Sequence, residues 1–250
     1  MSFEVAMRQL GGSSLYLNWS EIQLGRGETL ADTAKILSKY VDGIVARVQI
    51  HKTLVELSKN ASVPVINGLS DLNHPVQILA DLMTILEKRR KLRGLKLAYV
   101  GDGNNICNSL LIGCSKVGLN LSIACPSEYK PNPEFLRKAK ENAKNNGSII
   151  QIEQNPKLAV SDADIVYTDV FVSMGQESER EKRLRKFMPL YQVNSELLSS
   201  AKNKFIFMHP LPCHRDEEVT ADIIDGPNSV VFDQAENRLH TSKSLLIALL

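Results

Sequence analysis

The protein has 250 residues, enough for one large or two compact domains and too few for three. Its 43% hydrophobic and 23% charged residues exclude a disordered or collagen-like chain, and 30 basic against 28 acidic side chains leave a net charge of only +2, so no nucleic-acid-wrapping surface is expected. The longest apolar run, residues 245–250, falls far short of the ~20 residues that span a bilayer, so no integral membrane protein is expected either.

The start Met1-Ser2-Phe3-Glu4 has neither the basic-then-apolar pattern of a signal peptide nor the Arg-rich pattern of a transit peptide. Cys107, Cys114, Cys125 and Cys213 show no CxxC or Cys/His spacing. They read as reduced thiols with no metal site and no disulfide frame, and the cytoplasm is the default location.

In chain order, strands are predicted at 43–46, 63–67, 95–100, 120–124, 148–152, 165–168 and 205–208, several as near-continuous apolar runs. Helical patterns fall at 29–39, 51–58, 75–90, 105–117, 133–145, 177–186 and 235–250. This alternation predicts an α/β protein with parallel sheets and right-handed crossovers. The basic run at 87–93 ends a long helix before a fresh strand and serves as the boundary. Domains are therefore expected at 1–90 and 94–234, with the last helix, 235–250, returning to the first.

Open parallel sheets bind ligands beyond the carboxyl ends of their strands. Arg47 ends the first strand with a rigid five-donor fork suited to phosphate or carboxylate; the plainer reading is a surface ion pair with Asp42 or Glu56. His74 precedes Pro75, which fits the first position of a helix, and with Gln77 lies at a helix start that favours an oxygen-rich ligand; a simple cap is the alternative. The stretch Gly101-Asp102-Gly103-Asn104-Asn105 has the form of a dinucleotide loop. It lacks the third glycine, Ile106 standing there, and the next strand ends without an acidic group for a ribose. Two consecutive asparagines at a helix start suit a small polar substrate better. Asp169 leaves its strand with a carboxylate for an ammonium group, or closes its own turn. Pro210 and Pro212 force an extended path whose carbonyls can face a ligand. Arg238 lies early in the last helix, where Glu236 or Asp233 is its plainer partner.

In this order, His74-Pro75-Val76-Gln77, Asp102-Gly103-Asn104-Asn105, the run from Tyr167 through Ser173-Met174-Gly175 to Glu177, and Glu236-Asn237-Arg238-Leu239-His240 resemble the aspartate/ornithine carbamoyltransferase family, its ornithine branch most closely. The likeness covers essentially the whole chain. It implies two doubly wound parallel-sheet domains and transfer of a carbamoyl group from carbamoyl phosphate to the side-chain amine of ornithine, giving citrulline and phosphate in arginine metabolism.

Carried over by position, Gln23, Arg47, His74, Gln77, Pro210, Leu211 and Arg238 match carbamoyl phosphate positions, Gln23 reaching a neighbouring subunit's site. Asn105, Asp169, Ser173 and Met174 match ornithine positions, and Arg47, His74 and Arg238 are the expected catalytic groups. The family implies a homotrimer or a multiple of one, and neither metal nor organic cofactor.

Two departures accompany the likeness. The family's Ser-x-Arg-Thr loop, expected just before Ser2-Phe3-Glu4, is missing, so the first domain is expected to be N-terminally truncated. Where the ornithine branch has His-Cys-Leu-Pro, this chain has His209-Pro210-Leu211-Pro212. A carbamoyltransferase-like chain without catalysis, and an enzyme acting on putrescine or a modified ornithine, are the competing expectations.

Overall fold

The computed structural model describes residues 1–19, 27–173 and 175–250. The chain divides into two compact units, Met1–Ala80 with Glu236–Leu250, and Asp81–Ala235.

In the first unit, α1 (Ser2–Gln9) precedes α2 (Leu30–Leu37), which opens where Thr29 Oγ1 accepts the Asp32 amide at 3.1 Å. There follow β1 (Ile44–Arg47), α3 (His51–Asn60), β2 (Val65–Leu69) and α4 (Pro75–Arg89), which enters the second unit after Ala80. Among the described residues the sheet has two parallel strands, paired Ile44↔Val65, Val45↔Ile66 and Ala46↔Asn67, then Arg47↔Leu69. That slip passes over Gly68, where an added Cβ would lie 3.2 Å from the Ala46 carbonyl oxygen and 3.3 Å from the Val45 side chain. A glycine lets the two strands approach this closely without a neighbour having to give way. Ala6, Ile66, Val76 and Leu246 form the small core, so the tail of the C-terminal helix (Val231–Leu249) packs in this unit.

The second unit runs β3 (Lys96–Val100), α5 (Asn105–Val117), β4 (Asn120–Ala124), α6 (Pro133–Asn146), β5 (Ile150–Glu153), α7 (Pro156–Val160), β6 (Ile165–Thr168), α8 (Arg180–Phe187), α9 (Ser195–Leu198), β7 (Ile206–Met208) and α10 (Ala221–Ile224). Its five strands are parallel in the order β5-β4-β3-β6-β7. The chain winds outward from β3 through β4 and β5, then returns to β6 on the other side. The doubly wound order can be read in this unit, with its switch point between β3 and β6. Helices cover both faces, which is why the central strands β3 and β6 are almost wholly buried. Phe171, Phe187 and Phe207 are the largest apolar side chains of this core.

All seven predicted strands are present, 120–124 and 165–168 with the expected bounds and the other five shifted. β2 starts at Val65 rather than 63: Pro64 has no amide to give, and its carbonyl instead accepts the Ile44 amide at 2.9 Å. The stretch predicted as one helix at 177–186 is a 3-10 turn, Glu177–Glu179, followed by α8. The C-terminal helix begins at Val231, four residues earlier than expected. The short helices α7, α9 and α10 were not anticipated because one turn is too short to show a period.

Candidate functional site

In the first unit the loops after β1 and β2 are tied to each other. The Val48 amide bonds the Leu69 carbonyl at 2.9 Å, the His51 amide bonds Asp71 Oδ1 at 2.8 Å, and His51 Nδ1 meets Ser70 Oγ at 3.0 Å. Asn67 Nδ2 donates to Asn73 Oδ1 at 2.5 Å, and the Ser70 amide to the Asn73 carbonyl at 3.0 Å, closing the turn that delivers His74. The His74 carbonyl then accepts the Gln77 amide at 3.1 Å, starting α4 at Pro75. His74 and Gln77 are both buried, at 5% and 2% exposure, and Arg47 at the end of β1 is exposed.

Four predicted residues meet here. An Arg238 guanidinium nitrogen donates to Gln77 Oε1. Burial pushes the His74 imidazole down to about 3, and the positive charges of Arg238 and then Arg47 push it further the same way. His74 is therefore a neutral hydrogen-bonding ring at physiological pH, set in a field made positive by two arginines. The plainer partners foreseen for Arg238 are engaged elsewhere: Asp233 pairs with Lys88 at 2.8 Å, and Glu236 with His240 at 3.5 Å. Two guanidinium groups beside a neutral imidazole and a helix start form a cradle for a small oxyanion.

In the second unit, the turns after β3 and β6 adjoin the switch point. Asn104 caps α5, its Oδ1 accepting the amides of Ile106 at 3.0 Å and Cys107 at 3.1 Å. Its Nδ2 donates to Asp169 Oδ2 at 2.7 Å. The other Asp169 oxygen accepts the Val170 amide at 2.9 Å, so Asp169 does close its own turn while keeping a carboxylate at the strand end. Burial raises the Asp169 carboxyl above the ordinary range, with His209 and the Asn104 bond pulling it back. Asn105, the first residue of α5, is half-buried, as is Ser173, whose amide bonds Gln176 Oε1 at 3.0 Å. Pro210 and Leu211 follow β7, the Leu211 backbone lying at φ +53°. Gln23 and Met174 lie outside the described residues.

A family model for the carbamoyl-P binding domain of aspartate/ornithine carbamoyltransferase matches residues 1–87, and one for the Asp/Orn binding domain matches residues 93–249. The chain belongs to the aspartate/ornithine carbamoyltransferase family. It is 57% identical to an ornithine carbamoyltransferase of Thermococcus kodakarensis over 246 residues, covering 98% of this chain and 78% of that protein. A Bacillus anthracis ornithine carbamoyltransferase is 56% identical over 249 residues, with 100% and 78% covered. The solved ornithine carbamoyltransferase of Pyrococcus furiosus superposes with a TM-score of 0.95 at 55% identity, covering 100% of this chain and 79% of that one.

Sequence reasoning about this carbamoyltransferase-family chain missed the role of Asn104. The signal was present, since Asn104 stands at the N-cap of a predicted helix, yet its bond to Asp169 joins residues 65 apart in the chain. The same cap answers the dinucleotide reading: Asn104 already occupies the first-turn amides that a pyrophosphate would take.

His209, Cys213 and Glu218 bring a nitrogen, a sulfur and an oxygen within 4.8 Å of one another. The hydrogen bonds there are already assigned. The Leu211 amide donates to His209 Nδ1 at 2.9 Å, so Nε2 is the ring nitrogen that donates its proton to Glu218 Oε1 at 3.2 Å. A metal on Nε2 would have to displace that proton and leave an imidazolate. The Cys213 thiol is pushed up to about 12 by burial and then by the Glu218 charge. The cluster supports the 209–213 turn and is a poor fit to a metal ion.

Proposed function

We propose that this protein transfers the carbamoyl group of carbamoyl phosphate to the side-chain amine of ornithine, giving citrulline and phosphate in arginine metabolism. The observation that carries the reading is the Arg238–Gln77 hydrogen bond together with the Arg238 and Arg47 charges that act on the buried His74, in a chain whose relatives carry the name ornithine carbamoyltransferase at 57% and 56% identity.

The chemistry accounts for the groups. The free amine attacks the carbonyl carbon, the carbonyl oxygen gains negative charge, the carbon–oxygen bond to phosphate breaks, and the nitrogen gives up a proton. Donors already aimed at both developing charges are usually the largest catalytic contribution. In this reading Arg47 and His74 serve the carbonyl oxygen, and Arg47 and Arg238 the departing phosphate. Gln77 holds the carbamoyl amide. A His74 with its proton affinity depressed to about 3 donates as a neutral ring and never competes with the arginines for the anion.

Asn105, Asp169, Ser173 and Met174 take the amino acid; the buried Asp169 carboxylate holds its ammonium end and orients the attacking nitrogen. Gln23 serves the donor site of a neighbouring subunit in a cytoplasmic homotrimer. The deciding experiment is a ureido assay with carbamoyl phosphate and ornithine, run beside putrescine. Citrulline formation is expected. Arg238→Ala is expected to raise the KM for carbamoyl phosphate, and Asp169→Asn to damage the ornithine step. A folded protein that carbamoylates putrescine but not ornithine, or neither, overturns the reading.

A further inference from the structure

The proposed amine site of the second unit stands on two turns, and one buried side chain ties both. Arg183, on α8, is 3% exposed. Its guanidinium donates to Asp102 Oδ2, and its Nε donates to the Phe171 carbonyl at 2.6 Å. Its Cζ lies 4.7 Å from the Tyr129 ring centre and 5.6 Å from that of Phe187, on which Phe171 stacks at 4.8 Å. Asp102 is itself 6% exposed, and its carbonyl accepts the Tyr99 hydroxyl and the Asn104 amide, each at 2.8 Å.

These contacts close a ring. Arg183 binds Asp102; two residues on, Asn104 binds Asp169; two residues on again, the Phe171 carbonyl returns to Arg183. Asn105 and Ser173, the outer polar groups of the amine site, each stand next to this ring or two residues beyond it. A buried ion pair contributes little stability that well-packed apolar side chains could not match, because desolvation offsets its Coulomb attraction. What a guanidinium fork adds is direction, since its donors point along fixed lines.

We propose that Arg183 and Asp102 are positioning residues for the amine substrate, their buried pair setting the spacing between the Asn104–Asn105 turn and the Asp169–Ser173 turn. The inference rests on the amine-site reading of those two turns. Neither residue touches substrate. Each acts through the groups that do.

The test compares Arg183→Met, Arg183→Lys and Asp102→Asn with Glu179→Gln, which removes only a half-exposed carboxylate 3.9 Å from the guanidinium. Loss of one charge-assisted bond in the ring is expected to raise the KM for ornithine roughly tenfold or more in Arg183→Met and Asp102→Asn, with the KM for carbamoyl phosphate within about twofold of wild type. Arg183→Lys should recover part of the loss, and Glu179→Gln should behave as wild type. If a variant fails to fold, Tyr129→Leu weakens the guanidinium's seat while keeping the ion pair, and the same split in KM is expected at smaller size. Equal shifts in both KM values, or a kcat that falls only with the folded fraction, overturn the proposal. Ornithine titrated calorimetrically in the presence of inorganic phosphate reads the effect without turnover. Ornithine binding that Arg183→Met leaves unaltered overturns the positioning role, whereas absence of citrulline from wild type overturns the reaction reading instead.

Discussion

His74 shows how far a side chain's surroundings reset its chemistry. A free imidazole gains a proton near neutrality, but this one, enclosed and facing two guanidinium charges, holds its proton affinity down at about 3. Because the folded value lies below the unfolded one, the unfolded chain binds the extra proton anywhere between them. The stabilisation is therefore fully present above about pH 6.5 and is lost as pH falls toward 3. Denaturant titrations are expected to show unfolding free energy dropping by roughly 3 kcal/mol between about pH 6.5 and about pH 4 from this group alone. His74→Gln should flatten that part of the profile; an unchanged slope would show that His74 is not buried as described. The histidine was legible in the sequence as a helix-start residue beside Pro75. Its neutrality was not, because Arg238 lies 164 positions away and its charge reaches His74 only in the folded chain.

Helix starts and the turns that precede them carry the proposed chemistry of both units, and their amino-acid signals were strong. Pro75, Asn104 and the glycines around Asp102 marked α4 and α5 before any coordinates. The turn after β3 also depends on packing that no local pattern discloses. The Gly103 amide bonds the Tyr129 carbonyl at 2.8 Å, and a Cβ on Gly103 would sit 2.2 Å from the Pro131 nitrogen and 2.3 Å from the Lys130 carbonyl carbon. Backbone cannot yield as a flexible side chain does. Gly103→Ala is expected to cost about 1–3 kcal/mol of stability, measured by denaturant midpoint, and to raise the KM for ornithine by displacing Asn104. Wild-type stability would mean that the 129–131 segment can move aside. The third glycine of a dinucleotide loop, replaced by Ile106, was the clearest single exclusion, and the Asn104 cap supplies its physical counterpart.

At the level of the whole molecule, the homotrimer is a proposal with its own measurement. Light scattering is expected to give three chains per particle or a multiple of three, and a monomer at working concentration would remove Gln23 from any neighbour's site. Family membership was legible from short motifs whose order along the chain is improbable by chance, and near-continuous apolar runs alternating with helical patterns marked the α/β class, since burial on both faces favours apolar residues at successive strand positions. Tertiary structure alone decided three things: that Arg238 bonds Gln77, that Asn104 holds Asp169, and that Arg183 joins Asp102 to the Phe171 carbonyl. Local propensity acts over a few residues, so it prescribes strands, caps and turns. The Asn104–Asp169 and Arg238–Gln77 bonds, between positions 65 and 161 apart, exist only after the chain has folded.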